Sequence, residues 1–204
     1  MTVTLSKPVL ACLIIIAVLA VGLALYYSAI MRPGGAPLIP EELDELVKGK
    51  PQSITVSSPA FPNGGSIPAK YTCDGDDVSP EIRISGVPQN AQTLMLIMYD
   101  PDAPGGTFYH WALYNIPPDT TAIPEGLPKA PATKYGLQAL NSFGGMGYGG
   151  PCPPWGHGPH RYVILILALD TMLSTPPEIT IAQLIQAAKG HVIAYGIYMG
   201  TYSR

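Results

Sequence analysis

The chain has 204 residues, a formal net charge of −3, and only 12% charged against 47% hydrophobic residues. No run of adjacent Lys and Arg occurs, which excludes the basic footprint of a nucleic-acid binder. Its 23 prolines and 22 glycines interrupt the apolar runs with turn chemistry rather than leaving room for long helices.

Residues 8–31 carry no charged side chain and are dominated by Ile, Leu, Val and Ala. This exceeds the roughly 20 apolar residues needed to cross a bilayer, so residues 1–31 read as an N-terminal membrane segment. An uncleaved anchor is favoured over a signal peptide, whose apolar core is usually about 7–15 residues. The expectation is a single-pass cell-membrane protein with an extracytoplasmic domain, or a secreted one if the segment is cleaved. Residues 32–52 read as a stalk, in which Pro33 and Pro37 break any continuing helix and the acidic stretch 41–48 suits a short amphipathic turn or two.

Residues 53–204 are long enough for one self-sufficient core. Apolar runs at 53–56, 93–99, 110–115, 162–169 and 194–202 read as strands, separated by Pro, Gly and Asn/Asp turns. One helix is predicted from Ile181 to about His191, with Thr180 as N-cap and Gln183 as its capping-box partner. Cys73 and Cys152 either pair in an oxidising compartment or stay as reduced thiols; the spacing leaves both open. No CxxC motif supports a metal site, and none is expected.

The polar groups of interest stand where apolar runs meet rigid loops. Asp100 and Asp102 flank Pro101 at the end of one strand, and His110 and His160 open two others. Asp100 is the expected pocket member, with Asp102 structural and paired with Arg161. An imidazole oriented by a carboxylate at a cleft rim suits a phosphate or carboxylate ligand. Ser79 and Ser142 lie outside any GxSxG elbow and Cys152 stands between two prolines, so no catalytic residue and no cofactor are assigned, and the chain is not read as an enzyme.

Residues 71–80 (YTCDGDDVSP), 100–104 (DPDAP) with His110-Trp111, and 149–154 (GGPCPP) with His160-Arg161-Tyr162 resemble the phosphatidylethanolamine-binding protein family, in its bacterial and archaeal, Raf-kinase-inhibitor-like branch. The resemblance implies an antiparallel β-sandwich with a few peripheral helices, here preceded by the transmembrane segment. It also implies a small pocket for phosphate or a phosphorylated head group, formed by Asp100, His110, His160 and Tyr162 with the backbone N–H groups of Gly149 and Gly150. Trp155 stands where relatives often carry lysine. The expected function is a membrane-tethered anion-binding protein. The alternative implied by the family is a serine protease inhibitor or regulator of a signalling protein, acting through surface loops such as residues 135–148.

Overall fold

The computed structural model describes residues 36–176 and 178–204. Among the described residues nine strands form two antiparallel sheets. The larger runs in the order β6 (Ala132–Thr133), β7 (Gly136–Gln138), β4 (Phe108–Ile116), β3 (Thr93–Asp100), β8 (His160–Leu169) and β9 (Val192–Tyr202). The smaller runs β1 (Thr55–Ser57), β2 (Ile82–Ser85) and β5 (Ala122–Ile123). Among the described residues two short α-helices, α1 (Glu41–Val47) and α2 (Ile181–Ala188), and a single 3-10 turn at Ala69–Tyr71 accompany them.

β3 and β8 are continuously apolar because each is covered on both faces. Leu94, Leu96 and Met98 of β3, with Ile164 and Ile166 of β8, meet Val56, Ile82 and Ile84 of the small sheet. The intervening residues Met95, Ile97, Tyr99, Val163 and Leu165 point the other way, into a second core with both helices. Gly196 of β9 is set by close approach: a Cβ there would lie 2.2 Å from the Ile54 carbonyl oxygen, where the chain enters the small sheet.

α2 begins as its sequence dictates. Thr180 Oγ1 accepts from the Gln183 N–H, and Gln183 Oε1 accepts from the Thr180 N–H. Its Ile181, Leu184, Ile185 and Ala188 are buried, and it ends at Ala188, three residues short of the expected His191.

α1 corrects the stalk. Leu43, Leu46 and Val47 are buried in the second core, the Tyr99 hydroxyl donates to the Leu38 carbonyl, and Lys189 of the α2 C-cap pairs with Glu45. The compact unit runs from Ala36 to Arg204, so this part of residues 32–52 belongs to the domain. The transmembrane part of the expected fold is also corrected. Among the described residues no helix is long and apolar enough to cross a membrane, and the architecture is a mainly β sandwich with two short helices. The segment read as membrane-inserting, residues 1–31, lies outside the described residues.

Candidate functional site

Because β3 runs antiparallel to both β4 and β8, its C-terminal end lies beside their N-terminal ends. Asp100 closes β3, Phe108 and His110 open β4, and His160 and Tyr162 open β8. Side chains at alternate positions share a face, so His110 lies level with Phe108 and His160 with Tyr162. These five line one pocket of about 180 Å³, completed by the 103–104 and 152–154 loops and Phe143. That is below the roughly 300–1,000 Å³ of sites for drug-sized ligands.

The pocket floor is a buried polar relay. His160 Nδ1 donates to Asp100 Oδ2 at 2.7 Å, with both side chains almost fully buried. The other Asp100 oxygen accepts the Asp102 backbone N–H at 2.7 Å. His160 Nε2 lies 2.8 Å from Nδ1 of His157, so one proton is shared between the two rings. Sequence reasoning passed over His157, although it stands three residues before His160 in the same Gly/Pro loop.

His110 Nδ1 lies 2.7 Å from the Gly149 carbonyl oxygen, which can only accept, so the proton sits on Nδ1. Burial is the main influence on this ring and pushes its pKa below the ordinary histidine value, outweighing the Gly149 contact and the Asp100 charge. The neutral ring therefore keeps Nε2 as an acceptor. Tyr162 packs edge-on against it, ring centroids 5.1 Å apart. The buried Tyr162 hydroxyl has no hydrogen-bond partner among the described residues; the Cys152 peptide approaches it without reaching hydrogen-bond geometry.

Gly149 and Gly150 do not present their N–H groups to this pocket. The Gly149 N–H donates to the His110 carbonyl, and the Gly150 N–H to Asp77 Oδ1 at 2.6 Å. Gly149 leaves space for a ring instead, since a Cβ there would lie 2.6 Å from Phe143. Phe143, an exposed aromatic that nothing in the sequence singles out, stacks edge-on to Phe108 and His110. On its far side Gly149, Gly150, Met146 and Tyr148 line a second cavity of about 280 Å³ with Lys129 and Asp77 at its edge. Among the described residues no group of three or more His, Cys, Asp or Glu is placed to hold a metal.

Asp102 turns away from the pocket. Its Oδ2 accepts from the Arg161 backbone N–H and Nε, and its Oδ1 from Nη2. Partial burial of the Asp102 carboxyl works against ionisation, but Arg161 outweighs it and holds the pKa below the usual value. A carboxylate depressed in this way stabilises the fold above its unfolded pKa of about 3.9, and the contribution is lost as pH falls through the folded value. Arg161→Ala should therefore lower the urea midpoint at pH 6, and the gap from wild type should narrow below pH 4. A gap of constant size from pH 6 to pH 2 would show that the ion pair is not its source.

Cys73 and Cys152 are joined as a disulfide with Cα atoms 5.5 Å apart. Cys152 lines the histidine pocket and Cys73 the cavity beyond Phe143.

The comparisons agree with this architecture. Residues 57–203 match the profile of the phosphatidylethanolamine-binding protein family. A UPF0098 protein of Pyrococcus abyssi is 47% identical over 159 residues, covering 76% of this chain and 88% of its own length. A UPF0098 protein of Methanothermobacter thermautotrophicus is 41% identical, covering 74% of this chain and 99% of its own length. The crystal structure of CT736 from Chlamydia trachomatis, described as a phosphatidylethanolamine-binding protein homologue, superposes with a TM-score of 0.68 at 39% identity, covering 75% of this chain and 99% of its own. Escherichia coli YbcL, described as a member of the mammalian family, gives 0.65 at 28% identity, covering 74% and 99%. The β domain spans the last three almost end to end, leaving nothing in them to match the apolar N-terminus. The single-pass, extracytoplasmic placement drawn from that segment is overturned along with the transmembrane fold. The sandwich, the 57–203 match and these relatives place the chain in the phosphatidylethanolamine-binding protein family.

Proposed function

We propose that the protein binds a small anionic group, phosphate or the phosphoryl end of a larger molecule, in the Asp100/His110/His160/Tyr162 pocket, and that it does so without turnover. The observation that carries this reading is the Tyr162 hydroxyl, a buried donor in the pocket wall without a partner among the described residues. Leaving such a group unmatched costs about 1–3 kcal/mol, which an acceptor oxygen on a ligand recovers. The pocket volume suits a head group rather than a whole lipid.

Neither Lys nor Arg lines this pocket, so any positive charge in it comes from imidazole. Affinity for phosphate should therefore rise on acidification, as imidazole gains a proton. Burial lowers the His110 pKa, so this ring adds charge only well below neutral pH. Calorimetric titration with phosphate, phosphorylethanolamine and acetate between pH 5 and 8 tests this. Tyr162→Phe keeps the ring and removes the donor, and should weaken phosphate binding by about 10–100-fold, the worth of a hydrogen bond to a charged group. Saturable binding that Tyr162→Phe and His160→Ala leave untouched would place the ligand elsewhere, and no saturable binding would sink the reading.

A further inference from the structure

We propose that the Cys73–Cys152 disulfide is an exchange site for a dithiol reductant, with Cys73 the attacked sulfur and Cys152 the leaving thiolate, and that opening it loosens one wall of the pocket. The two sulfurs stand in different surroundings. Cys73 is exposed, while Cys152 is half-buried between Pro151 and Pro153. Arg204 Nη1 lies 3.0 Å from Cys152 Sγ, which places a guanidinium where negative charge develops if this sulfur leaves. Arg204 is fixed there by Trp155, whose ring its guanidinium carbon overlies at 4.3 Å, and by Asp74 Oδ1, 3.2 Å from Nε outside hydrogen-bond geometry. The Asp74 carboxylate adjoins Cys73 in sequence and disfavours a thiolate there. A sulfur beside a guanidinium makes the better leaving group, and an exposed one the easier target.

The step balances as ordinary exchange. A thiolate of the dithiol attacks Cys73 Sγ, the S–S bond breaks, and its electron pair stays on Cys152 as a thiolate beside Arg204. The second thiol of the reductant, as thiolate, then attacks the mixed disulfide, closes the oxidised dithiol and releases the Cys73 thiolate. Two electrons pass to the protein, and the two thiol protons go to solvent or to the cysteines. The consequence for the pocket is geometric. Cys152, Pro153 and Pro154 line it, and the disulfide ties that segment to residues 71–77. After reduction the Cys73 N–H to Pro151 carbonyl bond and the Gly150 N–H to Asp77 bond remain to hold it.

The exchange is tested on the full chain. Glutathione should trap a single mixed disulfide on Cys73, with Cys152 free to alkylation, by peptide mass spectrometry. Arg204→Gln should slow reduction by dithiothreitol about tenfold through the loss of leaving-group stabilisation, and Arg204→Lys should recover most of the rate. An adduct on Cys152, or an unchanged rate in Arg204→Gln, overturns the assignment. So does a reduction rate that rises with urea in step with global unfolding. The pocket arm rests on the anion-binding reading: reduced protein should bind inorganic phosphate at least about fivefold more weakly than oxidised protein, and equal affinities overturn the coupling. Absence of phosphate binding in both states counts against the anion reading, while adduct position and rate still decide the exchange site.

Discussion

Asp100→Ala should destabilise the domain by about 3–5 kcal/mol, the loss of two buried hydrogen bonds to a carboxylate at roughly 1.5–3 kcal/mol each. Asp100 is 3% exposed and holds two groups at once, the His160 imidazole through Oδ2 and the Asp102 backbone N–H through Oδ1. Alanine leaves both donors without an acceptor inside the protein, and His160 is itself only 2% exposed. Asp100→Asn separates hydrogen bonding from charge. Its carbonyl oxygen can accept the Asp102 N–H while its amide donates to His160 Nδ1, provided His160 moves its proton to Nε2 and donates to His157. That variant should cost only about 1–2 kcal/mol, the scale of an altered hydrogen bond, yet change the pH dependence of phosphate binding. Urea denaturation of the two variants decides the matter. If both lie within experimental error of wild type, the Asp100–His160 pair contributes nothing to the fold and is poor evidence for a built site.

How much of this was legible beforehand differs from element to element. The capping box at Thr180 and Gln183 is a local, four-residue device, and it is readable because both of its bonds close within one turn. β3 and β8 were readable because continuous apolar runs bounded by turn residues leave few alternatives. β5, β6 and β7 have two or three residues each, too short for any periodicity to show. α1 was legible as a short amphipathic turn but not as part of the domain, because nothing in its acidic seven residues says that Leu43, Leu46 and Val47 have a sheet face to cover; that face is made by residues far downstream. The pocket was legible as far as its residues sit at strand ends, since antiparallel pairing brings the end of β3 to the starts of β4 and β8. His157 and Phe143 enter from loops, where partners are settled by tertiary geometry alone. Gly149 and Gly150 were placed near the site for the wrong physical reason. Their value is the missing Cβ, which admits Phe143 in one case and the Tyr71 carbonyl in the other, rather than free N–H groups.

Trp111→Ala should cost a similar amount, about 3–5 kcal/mol, with part of that assignable to a hydrogen bond rather than to volume. Trp111 is fully buried in the core between the sheets and stands edge-on to Tyr148, ring centroids 5.6 Å apart. Its indole N–H donates to Gln138 Oε1 at 2.8 Å, and Gln138 Nε2 in turn donates to the Pro128 and Ala130 carbonyls. The indole therefore anchors the 128–131 loop as well as filling space. Tyr148, whose hydroxyl donates to the Tyr71 carbonyl, carries the chain directly into Gly149, whose carbonyl fixes the His110 tautomer. Trp111→Phe keeps most of the aromatic contact but leaves the buried Gln138 oxygen without its donor, a loss of about 1–3 kcal/mol beyond the small cavity. For a domain of this size each kcal/mol is worth roughly 2–4 °C, so the alanine variant should melt about 6–20 °C below wild type and the phenylalanine variant should fall between them. A phenylalanine variant as stable as wild type would show that Gln138 relaxes freely and that Trp111 acts through packing alone. An intermediate melting temperature together with weakened phosphate binding would tie the core to the pocket through Tyr148 and Gly149.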